Sequence, residues 1–116
     1  MQFLCIVHVD PALMGQLSEQ QGRELTRDCK AYDEQLRQRG HLIAAQALAG
    51  PETGRIVRRR KQDLSITDGP YAETKEFLGG FLFVEARDIE QAVEIAAGCP
   101  MARMGCIEVR PQLKLG

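Results

Sequence analysis

The 116-residue chain is short of the features that mark several large protein classes. No apolar stretch approaches the length needed to cross a bilayer, so no membrane partner is expected. The first apolar run, Phe3 to Val9, stops at Asp10-Pro11 with no basic segment before it. A secretory leader is therefore not expected. The cysteines are Cys5, Cys29, Cys99 and Cys106, and no two form a C-x-x-C pair. That leaves zinc without its usual closely paired ligands, and no metal is expected. Three of the four lie among apolar residues, where a free thiol acts as a small hydrophobe. Reduced structural thiols in a cytoplasmic protein are the expectation. Excess charge is also missing: 15 Lys and Arg stand against 16 Asp and Glu. Such balance argues against a protein whose main work is gripping nucleic acid. The run Arg58-Arg59-Arg60-Lys61 could meet nucleic acid or an acidic partner, but no aromatics interleave it, and a solvated hairpin is the simpler reading. No Ser-His-Asp set, phosphate-binding glycine loop or metal motif occurs, so no cofactor is expected.

What is present suits one globular domain spanning residues 1–116, with 44% apolar and 27% charged residues. Phe3–Val9 is β-prone and apolar at both alternating sets of positions, as a strand covered on both sides would be. Ser18 with Gln21 resembles a capping box. Leu25, Cys29, Tyr32 and Leu36 then recur at helical spacing, and Gly40 fits a helix-closing position, which predicts a helix from about Glu19 to Arg39. His41–Leu48 reads as a strand ended by Ala49-Gly50-Pro51. Ile56–Arg60 and Leu64–Thr67 read as short strands joined around Lys61-Gln62-Asp63, followed by a strong turn at Asp68-Gly69-Pro70. Gly79-Gly80 suggests a bulge or a close backbone approach before the strand Phe81–Val84, again apolar on both faces. Asp88 and Gln91 cap a short helix that turns Ile89, Ala92, Val93 and Ala96 inward and stops at Gly98. Cys106–Arg110 alternates as a half-polar strand ended by Pro111.

Two helices with an antiparallel sheet make the ferredoxin-like plan, an α+β layer pair. Two helices cover only one face of such a sheet. The strands apolar on both faces would then expose a contiguous patch larger than a soluble monomer tolerates. The cheapest cover is a second copy on a two-fold axis. A homodimer with a small-molecule cavity between the two sheets is thus expected.

The stretch Thr67-Asp68-Gly69-Pro70-Tyr71-Ala72-Glu73-Thr74-Lys75-Glu76, followed by Gly79-Gly80, resembles the signature of the DGPF family within the YCII-related superfamily. The opening strand, the long helix ending in Arg39-Gly40 and the closing Gly105–Pro111 segment extend the resemblance over nearly the whole chain. Tyr71 stands where the usual residue is Phe. The resemblance implies a ferredoxin-like sandwich forming a dimeric α/β barrel, in a small bacterial cytoplasmic protein. It implies no settled activity. Members are often encoded beside extracytoplasmic-function sigma factors, which points to a regulatory or stress context. Broader relatives carry a His and an Asp proposed as an acid–base pair. Those positions fall here at Cys29 and Cys99, so that chemistry does not carry over.

Six residues are candidates for a pocket. Asp68 is either a carboxylate aimed into the dimer cavity or a turn residue accepting backbone N–H groups. Tyr71 and Lys75, with Glu73 and Thr74, form a polar loop that gates a pocket, holds an anionic ligand, or is merely solvated. Glu108 and Arg110 share one face of the last strand with Cys106, while Ile107 and Val109 face the helices. Arg110 binds an anion in two-pronged fashion or pairs with Glu across the interface. His8 either works with a nearby carboxylate or is a hydrogen-bonded core residue. His41 reads as a helix-end residue. Two functions stay open: a ligand-sensing dimer, or a small-molecule enzyme using Asp68, His8 or Glu108. A weaker third is an interaction module docking through the basic hairpin.

Overall fold

A computed structural model describes residues 1–70 and 74–115. The strands are β1 (Gln2–Val9), β2 (Leu42–Ala47), β3 (Arg55–Arg60), β4 (Asp63–Asp68), β5 (Phe77–Glu85) and β6 (Gly105–Pro111). The helices are α1 (Pro11–Gly15), α2 (Glu19–Gln38) and α3 (Ile89–Gly98). β2, β5, β1 and β6 lie side by side in that order, each pair antiparallel. This is the ferredoxin-like sheet. β3 and β4 form a separate two-stranded arm between β2 and β5.

Local chemistry sets the helix ends. Ser18 accepts from the Gln21 backbone N–H while the Gln21 side chain accepts from the Ser18 N–H, so both ends of the capping box are made. At the far end Gly40 takes φ +78°. The Gly40 N–H donates to Arg37 and the His41 N–H to Leu36, the paired bonds that close a helix around a left-handed residue. Asp10-Pro11 does more than stop β1. Asp10 accepts from the Ala12 N–H, and Pro11 opens α1, a helix the sequence reading did not expect.

α3 corrects one expectation. Its buried stripe is Ala92, Ile95 and Ala96, whereas Ile89 and Val93 point to solvent. The Asp88 cap on the Gln91 N–H fixes the phase of the first turn, and that phase turns positions 89 and 93 outward. β5 begins at Phe77, earlier than the Phe81 expected. The extra residues absorb a bulge: Val7 pairs with Gly80 but His8 with Leu78, leaving Gly79 over. A Cβ on Gly80 would sit 2.5 Å from the Gln46 carbonyl oxygen, so the close approach of β2 to β5 requires glycine there.

The core lies between the helices and one face of the sheet. Phe3, Cys5, Leu82 and Val84 meet Leu36, Ala92, Ile95 and Ala96, with Ile107 and Val109 packed against them. The register puts a second set on the opposite face. Leu4 lies across from Phe83 and Ile6 across from Phe81 on one side; on the other they face Arg110 and Glu108. Ile6 is buried, and Leu4, Phe81 and Phe83 are half-buried by one another on the side away from α2 and α3. The sheet is thus apolar on both faces and has its helical layer on one.

The arm stands apart, and every residue of β4 is exposed. The radius of gyration is 16.1 Å, against about 13 Å for a compact chain of this length.

Candidate functional site

The helix-free face gathers three of the expected residues. β1 and β6 pair so that His8 lies beside Cys106 and Ile6 beside Glu108. His8 Nε2 is 3.0 Å from Glu108 Oε1, and Arg110 Nε is 3.7 Å from Glu108 Oε2. The Arg–Glu pair therefore forms within one chain. Cys106 joins the group from its exposed position and donates its S–H to Glu76 Oε1 at 3.6 Å. Desolvation, then the Glu76 and Glu108 carboxylates, push the Cys106 thiol up, so it stays protonated. The His–carboxylate contact has the geometry of an acid–base pair, with an apolar strip beside it.

The remaining candidates lie elsewhere. Asp68 sits at the base of the arm, where its carboxylate is 3.2 Å from Arg55 Nε and largely exposed. Among the described residues its partner is the Arg55 guanidinium. Lys75 is exposed. Tyr71 and Glu73 lie outside the described residues. His41 does close the helix end, and its Nδ1 is 2.8 Å from the Glu85 carbonyl oxygen, a bond across to β5. Among the described residues no group of three or more His, Cys, Asp or Glu is arranged to hold a metal ion, and no helix is long and apolar enough to cross a membrane.

Of the candidates among the described residues, none lines the largely apolar cleft beneath α2. That cavity, of about 380 Å³, opens on the helical side of the sheet. Met14 of α1, Leu25 and Cys29 of α2, Leu82 of β5, and Cys99 and Met101 of the turn after α3 form its apolar wall. Thr26, Lys30 and Asp33, successive on the face of α2, supply a polar side. Gly22 also lines it, and a Cβ there would meet nothing within 4 Å. A concave, mostly apolar cleft with a few polar groups at its edge is the kind of surface that small ligands use.

Electrostatics agree with an apolar interior. Burial pushes the Cys29 thiol up to about 11, helped by Cys99, Asp33 and Asp28 and opposed by Arg103. Burial also raises Cys99, against a backbone N–H from Met101. Burial thus favours the neutral form of both thiols. Desolvation raises the Asp33 carboxyl despite nearby Arg37, favouring the form that can donate a hydrogen bond.

The α+β fold with this antiparallel sheet defines a small domain of the ferredoxin-like class. The chain belongs to the YCII-related domain family, which matches residues 1–114. An uncharacterized protein of Rhizobium meliloti (strain 1021) is 26% identical over 113 residues, covering 96% of this chain and 91% of that protein. Among solved structures, 5-chloro-2-hydroxyhydroquinone dehydrochlorinase from Burkholderia phenoliruptrix AC1100, in complex with 2,5-dihydroxybenzoquinone, superposes with a TM-score of 0.57. The match covers 100% of this chain and 96% of that one at 18% identity, which is a likeness of fold.

Proposed function

We propose that the protein is a homodimer that binds a small ring compound bearing hydroxyl or carbonyl groups, in the cavity between α2 and the sheet, and acts as a ligand-sensing unit. The cavity carries this reading: about 380 Å³, apolar on most sides, with one polar edge from Thr26, Lys30 and Asp33. Lys30 suits a phenolate or other anionic oxygen, and the Asp33 carboxyl, which burial raises, suits a ring hydroxyl. The dimer is the cover that the apolar strip of Leu4, Ile6, Phe81 and Phe83 calls for. The YCII-related fold and the quinone held by a dehydrochlorinase of similar fold make a ring compound the first class to try.

A second reading rests on the 3.0 Å His8–Glu108 contact. Sheets packed face to face would enclose that pair, with Arg110, in a chamber between subunits. A small anionic substrate there would meet an acid–base pair and a guanidinium.

Two-dimensional NMR with 2,5-dihydroxybenzoquinone and with phenol separates the readings. Cavity binding shifts the amides around Leu25, Cys29 and Met101, and Gly22→Leu, which fills open space, abolishes the shifts without loss of thermal stability. Shifts confined to His8, Cys106 and Glu108 favour the chamber. The absence of shifts at both places with both compounds overturns the cavity reading.

A further inference from the structure

Among the described residues, nothing covers one face of the β3–β4 arm. Val57 lies directly across from Ile66, and Arg59 across from Leu64, so these four side chains share one side of the ribbon. Val57 is 65% exposed, Ile66 62% and Leu64 51%. An isolated two-stranded ribbon is marginal in water, and one with its apolar side wetted more so. Charge sharpens the point. Residues 55–68 carry five cations and two carboxylates, a net of +3 in a chain of net −1, which leaves −4 for the remainder.

That remainder offers a surface of matching kind. Ile89 and Val93, one turn apart on the outer side of α3, are 41% and 51% exposed. Glu90 and Glu94 lie beside them, also one turn apart and exposed. The arm does not fold onto its own α3. It is rooted between β2 and β5, whereas α3 packs over β1 and β6 on the far half of the sheet.

We propose that the arm is an assembly arm that docks on α3 of a second copy, Val57, Leu64 and Ile66 covering Ile89 and Val93 while Arg59 meets Glu90 and Glu94. The choice of a second copy over nucleic acid follows from the mixed character of the face. Phosphates would satisfy Arg59 and leave three aliphatic side chains in water, whereas an acidic helix with an apolar stripe meets both needs. This contact uses neither the sheet face nor the cavity, so it stands independently of both.

The test is native mass by light scattering, with far-UV circular dichroism as the control for folding. Val57→Asp with Ile66→Asp alters exposed positions only; it should weaken association at least tenfold and leave the dichroism unchanged. In the background of Phe83→Asp, which disrupts the sheet face, association should persist until the arm changes are added. Arg59→Glu should weaken self-association, and mixing it with E90R/E94R chains, which supply a new partner for its carboxylate, should restore a heavier species. Unchanged association in both backgrounds, or a wild-type chain that is monomeric throughout, overturns the proposal. So does an arm whose Arg59-dependent binding is to duplex DNA while self-association ignores the arm changes.

Discussion

A disulfide reagent used across pH tests the environment assigned to Cys29. Its thiol is pushed up to about 11 by burial and by Cys99, Asp33 and Asp28. An ordinary cysteine near 8.5 is about a quarter thiolate at pH 8. Cys29 at about 11 is thiolate to roughly one part in a thousand, a deficit of about 200-fold. Basicity returns part of that loss, because nucleophilicity rises with pKa at a slope of about 0.4–0.5, worth roughly tenfold over this interval. The net expectation is a rate about 20-fold below that of free cysteine before any shielding by the cavity wall. The assay is dithiodipyridine treatment with peptide-resolved mass spectrometry at pH 7.5 to 10. The Cys29 rate should climb about tenfold per pH unit through the whole range, while a free thiol levels off near pH 9. A Cys29 profile that levels off near pH 9, at a rate close to that of free cysteine, would show a solvated thiol, and the cavity wall as described would be wrong.

Leu36 is 2% exposed at the centre of the core, so Leu36→Ala should cost about 2–5 kcal/mol, read as a lower urea midpoint with an unchanged slope. Ser18→Ala removes the acceptor of the Gln21 N–H while keeping the backbone N–H that donates to the Gln21 side chain, and should cost about 1 kcal/mol in the same measurement. A cost below a few tenths would mean the first turn of α2 is held by packing rather than by its cap.

How much of this was legible in the chain depends on what each feature is made of. The ends of α2 were readable because capping is local. Ser18, Gln21 and Gly40 contain the bond pattern within a few residues of themselves. The second apolar side of the sheet was readable because strand alternation is also local, and Leu4 and Ile6 declare it without knowledge of their neighbours. α3 misled for a related reason. Ile89, Ala92, Val93 and Ala96 fit a helical stripe, but Ala92, Ile95 and Ala96 fit one equally well, and hydrophobicity alone does not choose the phase. If the arm docks as proposed, Ile89 and Val93 are apolar for a partner rather than for the core.

The cavity was not legible, because a void has no residue type. Met14, Leu25, Cys29, Leu82 and Met101 come from four separate parts of the chain, and each reads as ordinary core filling. One local signal did exist. Gly22 sits inside an amphipathic helix, where glycine costs about 1 kcal/mol relative to alanine. Nothing presses on it: a Cβ there would find open space. A larger side chain there would reach into the cleft. The same logic explains the divided outcome for the six expected site residues. His8, Glu108 and Arg110 met because strand register brings cross-strand neighbours together whatever the loops do. Asp68 went with the arm, whose path out of the sheet is set by the long excursion between β2 and β5 and not by alternation. The proposed ligand site on the helical side is therefore built from side chains that form no motif, and Gly22 is the one local signal beside it.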